Sequence, residues 1–353
     1  MERKLAVVRA AAGGKTVRLR GIDWFAWATA GSSSVVLLAA ETGVAEVLVT
    51  GEGAWVLTDD IEAPRLREEE LPEGFSVHIS SWADPDKRET FVREVASGGE
   101  IVSDRPLCYE KPLQDELVAA KRVMSAEELT RYREVGMHAA DAMSETLRKA
   151  EPEWTERQLA GTAAAALLQR GLDPALAMAA GERRLHLYRH PVSKGDRLGA
   201  MAMLVFCARG HGLYANLTRF VSFGPLSPQL AERHASVREV EARVLAASRP
   251  GVDLGTLYGV LAEAYASCGY RDEIGRHHQG GTTGYLSREV VARPWSPEVL
   301  AAGSVVAWNP SVPGAKVEDT FVVGEDGLEN LTADPSWPAV AVDGIPRPLV
   351  LER

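Results

Sequence analysis

The chain has 353 residues, 46% of them hydrophobic and 25% charged, a globular balance long enough for two domains and a sizeable core. A formal net charge of -10 argues against nucleic acid as a partner, since phosphate binding rewards basic surfaces. Three scattered cysteines exclude a disulfide framework or zinc ribbon, and no apolar run is long enough for a signal peptide or a bilayer span, so a soluble cytoplasmic protein without a membrane partner is expected.

In chain order, the runs at 34–39, 45–50 and 54–59 read as short strands, the last two joined by a Gly-Glu-Gly turn at 51–53. A strand at 76–80 and a polar-faced helix at 84–96 follow. The stretch 103–116, with two prolines, reads as the link between domains. These residues form a smaller α/β domain over 1–120, leaving 121–353 for a second domain.

The second domain announces its helices. Ser125 and Glu128 make a capping-box pattern before a long amphipathic run, with Leu129, Tyr132, Val135, Ala139, Met143 and Leu147 on one face. Thr155 and Gln158 repeat it before an alanine-rich helix closed by Gly171. Ser227-Pro228 opens a third helix, and a fourth runs from about Leu254 to Cys268. Strands are expected at 198–208, 213–224, 304–309 and 316–324, which makes the order α+β. The tail after Thr332 carries four prolines and is expected to wrap an edge.

Four segments in this domain carry a resemblance: LYANLTRFVSFG (213–224), HHQGGTTGY (277–285), AWNPSVPG (307–314) and KVEDTFVV (316–323). In order and spacing they resemble the prolidase, aminopeptidase P, methionine aminopeptidase and creatinase superfamily, over roughly Ser125 to Gly324. The resemblance implies a C-terminal pita-bread domain, two helix pairs over a curved antiparallel sheet, preceded by a creatinase-like N-terminal domain that helps build a homodimer. It also implies five metal ligands: two Asp, one His and two Glu. Matched residue by residue, those positions hold Val205 (or Cys207 with a gap), Asn216, His278, Asn309 and Glu318. A further family His, which binds the transition state, falls on Tyr285.

Only His278 and Glu318 keep ligand side chains. Two dications about 3.5–4 Å apart repel by roughly 20 kcal/mol at an effective dielectric of about 20, and neutral Asn oxygens do not offset that. No dinuclear metal centre and no other cofactor is therefore expected. Creatinase is the family precedent for a metal-free pocket with a histidine acid/base. On that model His278 is the acid/base and Glu318 orients it. His190, Asn216, Tyr285, Asn309 and Lys316 would line a pocket for a small molecule or short peptide, with Lys316 holding a substrate carboxylate and Tyr285 donating to an oxyanion. Three activities stay open: metal-independent hydrolysis of a C–N bond, ligand binding without catalysis, and residual Xaa-Pro peptidase activity. Each residue also has a plain reading: His278 as a turn cap, Glu318 in a buried ion pair with Lys316, the two Asn residues bonded to sheet backbone.

Overall fold

Short apolar runs between glycine turns build the first unit, Met1–Arg122 with His211–Leu213. The computed structural model describes residues 1–353. Helix α1 (Glu2–Ala12), strand β1 (Thr16–Gly21) and helix α2 (Ile22–Ala28) open the chain. Strands β2 (Thr42–Val49), β3 (Ala54–Asp59) and β4 (Ser76–Ser80), helix α3 (Asp86–Ala96), strands β5 (Ile101–Ser103) and β6 (Lys111–Pro112), and helix α4 (Asp115–Lys121) complete the unit. The sheet order is β4-β3-β2-β1-β5-β6. β1 lies at its centre and is buried throughout. Two arginines on it are buried only because carboxylates meet them, Arg18 with Glu46, Glu89 and Glu110, and Arg20 with Glu110.

The second unit, Val123–Gly210 with Tyr214–Arg353, has two helix pairs. Helix α5 (Ala126–Lys149) and helix α6 (Glu156–Leu168) both begin with complete capping boxes. Their alanine-rich faces pack on strands β7 (Asp173–Gly181), β8 (Met201–Gly210) and β9 (Leu213–Ser222) around Leu147, Leu167, Leu204 and Phe206. Helix α7 (Pro228–Ala247) is capped by Ser227 and helix α8 (Leu254–Ser267) by Asp253. That pair covers strands β10 (Gly280–Thr283), β11 (Val290–Val291), β12 (Val305–Trp308), β13 (Ser311–Val312), β14 (Ala315–Lys316), β15 (Asp319–Val323) and β16 (Leu328–Asn330). Strands β17 (Ala339–Val342), β18 (Ile345–Pro348) and β19 (Leu351–Glu352) end the chain.

The sheet has two halves, β11-β10-β12-β15-β16 and β19-β9-β8-β7. They meet at an antiparallel bridge between Thr218 and Glu318. Beside it the Asn216 amide N–H donates to the Thr320 hydroxyl at 2.8 Å. This seam holds two of the four motif segments.

Several elements differ from expectation. Residues 34–39 form no strand, and Val36, Leu37 and Leu38 are exposed. The run lies in the connection between α2 and β2 and joins no sheet. The proline-containing link carries β6, parallel to β5, and the start of α4. The helices α1 and α2 and the strands β1 and β7 had no reading in the sequence. In the tail, Leu351 and Glu352 add a parallel edge strand to β9, pairing with Val221 and Ser222.

Candidate functional site

Glu318 sits at the seam between the half-sheets, buried, with both carboxylate oxygens engaged. Arg288 Nη2 lies 2.5 Å from Oε1, Lys316 Nζ 2.9 Å from Oε2, and the Thr218 hydroxyl donates to Oε2 at 3.0 Å. Burial works to raise its pKa, but Lys316 and Arg288 overcome that and hold it down at about 2. Two cations against one carboxylate leave this triad with a net charge of +1. The expected His278–Glu318 pair does not form. Instead Glu318 is held as an ion pair, and Lys316, itself buried, is its partner.

The imidazole that joins His278 is its chain neighbour. His277 and His278 stack at a centroid separation of 4.5 Å, and His277 Nε2 lies 3.0 Å from His190 Nε2. The donor nitrogens of the three rings all fall within 4.8 Å of one another. Two devices hold them there. Gln279 donates to the carbonyl of His277 at 2.7 Å and accepts from the Tyr265 hydroxyl of α8 at 2.9 Å. Arg189, next to His190, pairs with Glu273 on the turn before His277. Burial, then Lys316, lowers the His277 pKa to about 2; burial, then Arg288, lowers that of His278 to about 4. His190 shifts down for the same reasons, burial first and Lys316 second. At neutral pH all three rings are uncharged, although His278 is open to the cleft.

The remaining candidates divide. Asn216 is buried on β9; its Nδ2 donates to the Thr283 hydroxyl at 3.0 Å, and its Oδ1 has no protein partner. Asn309 is buried after β12, and its Oδ1 also lacks a protein partner. Both are buried acceptors that no protein donor reaches. Tyr285 is not brought into this group. It is fully buried, and its hydroxyl donates to Glu128 Oε1, the capping residue of α5, at 2.7 Å. A phenol spent on a buried carboxylate is not an oxyanion donor, and that expectation is corrected.

The donor set does not fit two divalent metals. Val205 packs in an apolar cluster with Met178, Met203 and Phe220. Cys207, the gapped alternative, has its thiol pushed up to about 11 by burial and stays protonated. The amide of Asn216 turns its nitrogen to Thr283, and Glu318 already carries two protein cations. The three imidazoles are the residues that hold a single ion best, since neutral ring nitrogens suit transition metals. Lys316 and Arg288 oppose a dication there, as they oppose protons on the same rings.

The class follows from fold and motif together. The model of metallopeptidase family M24 matches residues 130–325, more than half of the chain, and this chain belongs to that family. Its architecture is the α+β pita-bread fold with a preceding α/β unit. The X-Pro aminopeptidase from Thermotoga maritima superposes with a TM-score of 0.79 at 18% identity, covering 100% of this chain and 99% of that one. Among relatives, an uncharacterized peptidase, YqhT, of Bacillus subtilis is 26% identical over 253 residues, 68% of this chain and 69% of that protein. The agropine synthesis cyclase of Rhizobium rhizogenes is 30% identical over 155 residues, 40% of this chain and 39% of that protein. No helix is long and apolar enough to cross a membrane.

Sequence reasoning missed His277, Arg288 and Thr218. His277 had a visible signal, the tandem His-His before Gln-Gly-Gly. Arg288 had none, because thirty positions separate it from Glu318 and only the fold of 284–289 brings the two together.

Proposed function

We propose that this chain is a prolidase-like protein whose metal site has been replaced by protein cations, and that it performs metal-independent acid/base chemistry on a C–N bond of a small molecule. The observation that carries the proposal is the ion triad: Glu318, matched to a family metal ligand, is neutralised by Lys316 and Arg288. Fixed cations there do what a bound metal would otherwise do, setting a positive potential in a partly desolvated cleft.

The net positive cleft favours an anionic substrate, and a small carboxylate is the simplest kind. Such a substrate adds negative charge beside Arg288 and Lys316, which raises the depressed pKa of His278 toward a useful range for a base. The His190–His277 contact, with Nε2 atoms 3.0 Å apart, and the stacking of His277 on His278 hold the acid/base ring in place. The relative named as a cyclase supports chemistry other than peptide hydrolysis on this framework.

The test is turnover of a panel of small amides and guanidino compounds in excess chelator, wild type against His278→Ala. The expected result is chelator-resistant turnover that falls by about 10²–10⁴-fold in the variant, the range of a lost general acid/base. Turnover abolished by chelator, or equal in both proteins, contradicts the proposal. A protein that binds such compounds without turning them over is a binding member of the family instead.

A further inference from the structure

Behind the sheet, on the opposite side of β15 from the ion triad, lies a cavity of about 640 Å³, well within the range that takes a small organic ligand. Its floor is apolar: Leu245 from α7, Phe321, Leu328, Trp337 and Ile345. Two turns form its mouth, Glu325-Asp326 between β15 and β16 and Asp343 between β17 and β18.

The charges in this cavity are of two kinds. Those on the inner wall are spent. Arg219 pairs with Asp319 at 2.7 Å, Arg347 takes the other Asp319 oxygen at 2.7 Å, and Asp334 is bonded by Ser144 and Ser336. Those at the mouth are not. Glu325, Asp326 and Asp343 are exposed and make no ion pair, and Arg249 is the one unpaired cation opposite them. An apolar floor under a mouth where carboxylates outnumber cations attracts positive charge and rejects negative charge. An aromatic or branched body lying on the partly exposed Leu328, Ile345 and Pro348, with its cation at the mouth, satisfies both parts.

We propose that this cavity is a second ligand site, separate from the histidine cleft, for a small organic cation with an apolar body. The site stands whether or not the chemistry proposed for the cleft is right, since it shares no side chain with the imidazoles.

The experiment is calorimetric titration of the full chain with phenethylammonium and with 3-phenylpropanoate, which have similar bodies and opposite charges. The expected result is one ammonium per chain, with the carboxylate at least ten-fold weaker. The exposed triple variant Glu325→Lys, Asp326→Lys, Asp343→Lys reverses that preference. Ala246→Trp, exposed at the cavity edge, weakens both ligands, and His278→Ala leaves ammonium binding unchanged. No ammonium binding, equal binding of the two ligands, a preference untouched by the triple variant, or loss of binding in His278→Ala overturns the proposal.

Discussion

Glu318 is held by three side chains, two of them cations. Removing its charge leaves buried Lys316 and half-buried Arg288 facing each other uncompensated, so Glu318→Gln is expected to cost about 3 kcal/mol in urea unfolding. An unchanged midpoint contradicts a buried triad. The pH dependence has two parts. The Glu318 pKa is depressed, so its contribution is complete above the ordinary value of 4.5 and is lost as pH falls toward 2. Histidine pKa values are depressed too, which means the unfolded chain binds the proton first. Stability is therefore expected to start falling below pH 6.5, through the range down to about 4 for His278. The Gln variant removes the lower part of that loss and leaves the upper part. At this scale the sequence was partly legible. Motif order pointed to Asn216, Asn309, His278 and Glu318 as candidates, whereas Arg288 was hidden because its partner lies across the sheet. Tyr285 was misplaced because the motif fixed its chain position and not the direction of its hydroxyl.

Elements were legible where local signals and tertiary packing agreed. The capping boxes at Ser125 and Thr155 placed both helix starts, since each satisfies orphan N–H groups with side chains that the sequence shows. The run at 34–39 failed because an apolar, β-branched composition does not by itself make a strand; this stretch joins no sheet and leaves Val36, Leu37 and Leu38 exposed. β7 was missed because its alternation is blurred by alanines. Glycines near the site give a sharp test of the loop that carries His278. Gly280 has φ +95°, and a Cβ there would lie 2.1 Å from the Ala307 carbonyl oxygen. Gly171, at φ +72°, has open space around it. Gly171→Ala is expected to cost about 1 kcal/mol, and Gly280→Ala more than the roughly 1–3 kcal/mol of backbone strain alone. Comparable losses for both variants contradict the close packing of β10 on β12.

At the scale of the molecule, the fold was legible because four separated motifs keep one order, and order survives the substitution of single ligands. Membership of family M24 and the pita-bread architecture followed from that. The chemistry proposed here did not, because it rests on which side chains stand at the matched positions and on what they touch. On the reading proposed above, a family frame with Val205, Asn216 and Asn309 at ligand positions and a cationic triad around Glu318 keeps the shape of a metallopeptidase without its charge. Elemental analysis of the purified chain after incubation with excess manganese, cobalt or zinc and removal of free metal tests this most directly. The predicted result is well under two bound ions per chain, with no dipeptide-splitting activity gained. Two ions per chain, together with a dipeptidase activity that a chelator removes, would contradict it.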